Sequence, residues 1–236
     1  MIARARVVAE RVGGRTVLRA LQSAAPLTLV PRRGPGPVTV HLVGSAASPL
    51  GGDDLHLAVE VGPGAELVLA GVAATVVLPG PRAEPSRAAV DIQVADGGSL
   101  DYAPEPTVVT TRALHTTSLH ATLSGTARLR CRETLVLGRT DEQPGSLVSD
   151  WTVIRDEVAL LRQRLTIGDP TLDASPAGLA GHRVLATELR VGEPHTADPV
   201  SGDWWSLIPL AHGGTLATAL AHDAVTAGRR LAEALP

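Results

Sequence analysis

The chain has 236 residues, 44% of them hydrophobic and 19% charged, which is enough to build one large folded core and rules out global disorder. Formal net charge is -3, and the 21 basic residues, all Arg, form no block, so a basic nucleic-acid-binding face is excluded. Aromatics are limited to Tyr102, Trp151, Trp204 and Trp205, too few for stacking sugars or bases, and Cys131 stands alone, which precludes an intrachain disulfide and a multi-Cys metal site.

Along the chain, Met1–Arg15 alternates Arg with Ala and Val and holds no signal-peptide hydrophobic segment. The longest apolar run, Leu67–Leu78, is about a dozen residues where a bilayer span needs about twenty, so the expectation is a soluble cytoplasmic protein with no membrane contact. Gly13-Gly14 reads as a tight hairpin turn rather than a phosphate loop, and the segments Pro31–Pro37 and Pro79–Pro85 read as exposed loops. Asp53 and Asp54 follow Gly51-Gly52 at the mouth of a strand, where an Asp side chain can cap the turn. In Leu55–Val61 the large apolar residues share one face and His56 and Glu60 the other, the two-residue period of a half-buried strand. Gly62–Gly64 turns the chain into a second strand, Ala65–Leu69.

That unit recurs with Ala89–Val94 and Ser99–Tyr102, and again with Leu119–Leu123 and Thr126–Leu137. Stacked strand pairs joined by glycine turns fit either a sandwich or an irregular β-helix, and periodicity does not choose between them. Just after Tyr102, Glu105 sits between Pro104 and Pro106, which hold an extended backbone suited to a fixed recognition element. In Ala127–Leu135, Glu133 shares a face with Leu129, Cys131 and Leu135 while three Arg occupy the other. A carboxylate on an apolar face needs a partner. Arg139 is the candidate counter-charge for a buried ion pair; the alternative is that Glu133 lines an internal polar channel. Val148–Ile154, Val158–Ile167 and His182–Val191 read as further strands, with Gly168–Gly181 as a loop. A helix is predicted from Thr215 onward, with Thr215 as its cap, giving one domain over 1–236 that is strand-rich over 1–191 and loop and helix over 192–236.

Chemistry is sparse. No Walker-type loop, dinucleotide fingerprint or nucleophile elbow is present. His115 and His120 lie five apart in a strand and face opposite ways, and His41, His56, His182, His195, His212 and His222 are isolated. Without a His-x-His or His-x3-His pair, no preformed metal site is expected, and each His is expected at the surface or an edge.

An ordered set of short segments resembles the urease accessory protein UreD/UreH family. Gly13–Leu18 is similar to its Gly-Gly-Arg-Thr-x-Leu opening, Gly51–Leu55 to Gly-Gly-Asp-x-Leu, Gly62–Ala65 to Gly-x-Gly-Ala and Pro104–Thr107 to Pro-Glu/Gln-Pro-Thr. Glu133 to Arg139 matches Glu-x4-Gly-Arg, and Pro209–Ala211, Leu220–Asp223 and Arg230-Leu231 look like an actinobacterial member. The chain departs from the family at Ala47–Leu50, usually Pro-Gly-Gly, and at Ala70–Ala74, usually richer in Thr.

The resemblance implies an all-β-dominated fold, β-helix-like or two-layer stacked sheets with a C-terminal helix. It also implies a non-catalytic scaffold that binds apo-urease, a helical bridging protein of UreF type and a nickel-delivering GTPase of UreG type. No cofactor is stably bound, with nickel at most in transit, and an internal tunnel is the route proposed for the family. Asp53, Asp54, Tyr102, Glu105, Glu133 and Arg139 are the candidate tunnel or partner-contact residues. Two rivals remain: a β-helical carbohydrate hydrolase or lyase using paired carboxylates such as Asp53 and Asp54, and a β-rich interaction module unrelated to nickel.

Overall fold

The computed structural model describes residues 1–34, 36–81, 83–193 and 198–235. The chain enters along β1 (Ile2–Val12), turns into the antiparallel β2 (Arg15–Gln22), and crosses to a second sheet as β3 (Leu27–Arg32) and β4 (Val38–Gly44). It then winds. β5 (Asp54–Val61) lies in the first sheet, β6 (Glu66–Gly71) and β7 (Thr75–Val77) in the second, and β8 (Ser86–Val94) in the first again. β9 (Ser99–Ala103) and β10 (Thr107–Val109) return to the second, β11 (Leu114–Leu123) to the first, β12 (Arg128–Leu137) to the second and β13 (Ser146–Arg155) to the first. This is a stacked β-solenoid: the first sheet carries β1, β5, β8, β11 and β13 in parallel, the second β4, β6, β9 and β12. Each strand–glycine–strand unit read from the sequence is therefore an arch between sheets and not a hairpin within one.

The winding ends with antiparallel strands. β14 (Val158–Ile167) folds back on β13, the short helix α1 (Pro170–Ala174) follows, and β15 (Val184–Val191) pairs antiparallel with β12. β16 (Val200–Gly202), β17 (Trp205–Pro209) and β18 (Thr215–Ala221) extend that edge, and α2 (Ala224–Ala234) closes the chain. The C-terminal expectation is corrected here. Thr215–Ala221 is a strand, and the helix cap lies eight residues later than Thr215, at Asp223, whose carboxylate accepts from the Thr226 amide at 2.8 Å.

Alternation places Leu57, Val59, Leu67, Leu69, Leu100, Leu129 and Val153 in a buried apolar core between the sheets. A separate cluster around Leu135, Leu137, Leu147 and Leu185 fills the other end of the same layer. A third lies outside, where Ala227, Leu231 and Ala234 of α2 pack on Val184, Ala186 and Leu207. The outward face of the first sheet is polar and carries ion pairs such as Arg4–Asp54 and Arg6–Glu60.

Candidate functional site

The gap between the two inner core clusters is polar. On β11 and β13, Thr117 and Ser149 are register partners on the inward face, and across from them β12 and β15 present the register pair Glu133 and Thr187. The Ser149 hydroxyl donates to both carboxylate oxygens of Glu133, at 3.1 and 3.0 Å. No salt bridge reaches Glu133 among the described residues. Burial pushes its carboxyl up to about 7, against the opposing pull of Ser149 and Trp151. The expected Arg139 pair does not form. Gly138, at φ +73, turns the chain out at the end of β12, so Arg139 is exposed and its backbone carbonyl accepts instead from Arg183.

Glu133 looks into a cavity of about 440 Å³ between the sheets, which Tyr102, His115, Thr117 and Trp151 also line. The cavity extends away from Glu133 to the loop bearing Ala46, Ser48 and Pro49. The Tyr102 hydroxyl is pushed up by burial, with smaller contributions from Cys131 and Glu133. His115 is buried with Nδ1 2.9 Å from Ser86 Oγ, and burial lowers it to about 4, so at neutral pH it is an uncharged imidazole. On its far side Glu133 borders a second cavity of about 10 Å³ shared with Ser149, Gln163 and Thr187, room for a single water.

The second sheet is interrupted beside this cavity. β9 pairs with β12 only as far as Tyr102↔Cys131, and β10 resumes at Thr107↔Leu135, leaving Arg132, Glu133 and Thr134 without a ladder partner on that side. β6 and β7 break in step, around residues 72–74. Gly71 makes the break possible, because a Cβ there would lie 2.4 Å from the Glu105 amide nitrogen. Outside the slit, a groove of about 690 Å³ runs along α2, and Pro104, Glu105, Arg132 and Thr134 line both the groove and the inner cavity.

Of the sequence candidates, Tyr102, Glu105 and Glu133 thus meet at one place. Asp53 is buried in its turn, accepting from Ser48 Oγ at 2.6 Å, the Leu50 amide at 2.9 Å and the Met1 amino group, and so braces the loop at the cavity's other end. Burial would raise the Asp53 carboxyl, yet these bonds hold it below its usual range. Asp54 points the other way, to Arg4 on the outer face. The paired-carboxylate hydrolase loses its geometry, since the two groups do not face one cleft.

Sequence reading missed several residues. His115 and His182 are buried, contrary to a surface expectation, and His195 lies outside the described residues. The parity of His115 with Leu119 and Ala121 was the available signal. Glu188 was missed altogether. Fully buried on β15, it takes hydrogen bonds from Arg130, Arg132 and Arg190, which outweigh burial and hold its carboxyl down to about 2. Among the described residues no group of three or more His, Cys, Asp or Glu is placed to hold a metal ion, and no helix is long and apolar enough to cross a membrane.

The family model described as UreD urease accessory protein matches residues 1–235. "Urease accessory protein UreD 1" of Saccharopolyspora erythraea is 55% identical over 227 residues, covering 94% of this chain and 89% of that protein. "Urease accessory protein UreD" of Frankia alni is 44% identical over 227 residues, covering 85% and 75%, and that of Streptomyces coelicolor is 36% identical over 241 residues, covering 99% and 95%. A solenoid with a polar seam through its core, a C-terminal helix on its outer face and relatives of one description across its length place the chain in the UreD urease accessory protein family.

Proposed function

We propose that this chain acts as a single, non-catalytic scaffold of urease maturation in the cytoplasm. It binds apo-urease, a UreF-type helical protein and a UreG-type GTPase, and supports delivery of nickel, the cargo, to the urease active site. The family and its relatives' descriptions support the urease connection. The observation that carries the route is Glu133: a carboxylate that no salt bridge reaches among the described residues, in a polar seam that divides an otherwise apolar core and borders the slit. Such a group costs free energy to bury, so a fold that keeps it has a use for it. An uncharged His115 and hydroxyl-bearing Thr117, Ser149 and Tyr102 offer a path of neutral donors around one anionic station, which a divalent cation can pass without being trapped.

The test is complementation of a strain lacking this gene, read as urease activity, urease protein and nickel content of purified urease. The wild-type gene should restore all three. Glu133→Gln should restore urease protein but leave activity and nickel content about tenfold lower, a loss of the size expected when one charged contact is removed from a path. Full activity and nickel content with Glu133→Gln would exclude the route, and full activity without the gene would exclude the scaffold role.

A further inference from the structure

The two sheets end out of step. The first stops at β14, while the second runs on past β15 through β18, β17 and β16. Gln163 and Leu165 of β14 border the same small cavity as Glu133 and Thr187, so β14 lies over β12 and β15. Beyond it, Thr218 and Ser206 continue the register row of Thr187 on the inward face, and Ile208 beside them is 42% exposed. Among the described residues no strand of the first sheet covers that face. We propose that the free edge of β14 takes a strand from a partner protein, an extended segment of alternating apolar and acidic side chains, which carries the first sheet on over this overhang.

Three observations carry this. First, the ladder is open. β14 pairs with β13 alone, and among the described residues no other backbone hydrogen bond reaches it. Every second residue of an antiparallel strand turns its N–H and C=O away from its partner, so the ten residues of β14 present a row of donors and acceptors that another extended chain matches. Second, the faces alternate. Leu161, Gln163 and Leu165 turn inward and stay half-buried, while Arg162 and Arg164 stand exposed on the outer face. An added strand in register therefore sets its apolar side chains over the overhang and its polar ones beside the two Arg. Third, the outer charge is unbalanced. Asp150 takes Arg164 at 3.4 Å, but Arg162 stands opposite Thr152 and has no carboxylate partner among the described residues. Asp156 and Glu157 lie at the far hairpin end of the strand, where Asp156 is occupied by the Gly125 amide. A carboxylate opposite Arg162 completes a cross-strand pair. A second copy of this chain is disfavoured, because in the central registers two β14 edges would set Arg162 and Arg164 against themselves. The opposite end of the first sheet offers no such step, since β2 packs on β4 and the layer closes there. The occupant would lie beside Gln163 and Leu165 and cover the small cavity behind Glu133, yet its binding does not depend on anything passing through the core.

The experiment is fluorescence anisotropy of the full chain at low salt with three dye-labelled peptides. They are Val-Glu-Val-Glu-Val-Glu-Val, the same peptide with Lys for Glu, and the Glu peptide with every backbone amide N-methylated. The Glu peptide should bind about tenfold more tightly than the Lys peptide, and the N-methylated one should not bind, having lost its ladder donors. Arg162→Glu, on an exposed side chain, should leave the fold intact and reverse the order of the Glu and Lys peptides. Hydrogen exchange of the saturated protein locates the strand: amides in Val158–Ile167 should gain protection while those in Arg15–Gln22 stay unchanged. Failure of the Glu peptide to bind, equal binding of its N-methylated form, or an order that Arg162→Glu does not reverse overturns the proposal. So does protection gained at β2 in place of β14. Protection of β14 that rises with protein concentration in the absence of peptide also overturns it, by making the edge a contact between copies of this chain.

Discussion

Replacing Glu133 by Gln should stabilise the protein at alkaline pH. Had Arg139 been its partner, the substitution would strand a buried cation and cost about 3–5 kcal/mol. The geometry reverses the sign, because the side chains that reach the Glu133 carboxylate, Ser149 and Trp151, are neutral donors from which a Gln carbonyl also accepts. Its carboxyl rises from 4.5 to about 7, and at about 1.4 kcal/mol per unit the charged form costs on the order of 3 kcal/mol. A carboxyl raised in the folded state contributes its full stability below 4.5 and loses it as pH climbs through about 7. His115 runs the other way. Lowered from 6.5 to about 4, it contributes stability above 6.5 that is lost as pH falls toward 4. The two slopes oppose each other in the wild type over much of the acid range, and Glu133→Gln leaves that of His115 alone. Urea unfolding followed by fluorescence of the buried Trp151 gives the difference between variant and wild type directly. It should be near zero at about pH 4.5 and grow to about 3 kcal/mol in favour of the variant at about pH 8. A variant weakened by 3–5 kcal/mol at every pH would refute the reasoning, since it would require a cation that the seam does not contain.

Gly71→Ala should destabilise the fold by about 1–3 kcal/mol, because its Cβ must displace the backbone at Glu105, 2.4 Å away, and thermal melting will show it. Glu188→Gln should cost about 3 kcal/mol, the low end for a broken buried pair, since the guanidiniums keep contact with water. The stability that Glu188 provides is present above the ordinary carboxylate range and lost as pH falls toward about 2, so the wild type should lose its advantage over Glu188→Gln in acid, measured by urea midpoints across pH.

Strand identity was legible because alternation is local: Leu55–Val61 and Arg128–Leu137 carry their buried faces in the two-residue period itself. Which sheet each strand joins was not legible, since a glycine turn serves an arch as readily as a hairpin. The late helix was misplaced for a specific reason. Leu216 and Leu220 are four apart, a spacing that belongs to both periods, and β18 is buried on both faces, which removes the polar positions that would have decided it. In the site, Tyr102, Glu105 and Glu133 stood out as polar groups in apolar or rigid settings. Ser149 and Thr187 became meaningful only through register with strands far away in sequence, and Glu188 only once three Arg from two strands converged on it.

The way the winding ends bears on how the chain is made. Leu57, Val90, Leu119 and Trp151 occupy one row of the first sheet, each roughly thirty residues after the last, so every new turn emerging from the ribosome finds its template already built. Until β14 and β15 arrive, that template is an open parallel edge of unpaired amides and carbonyls, ready to recruit a neighbouring nascent chain. The antiparallel strands therefore serve as a stopper, and a product cut short after β13 should precipitate even though every solenoid turn is complete.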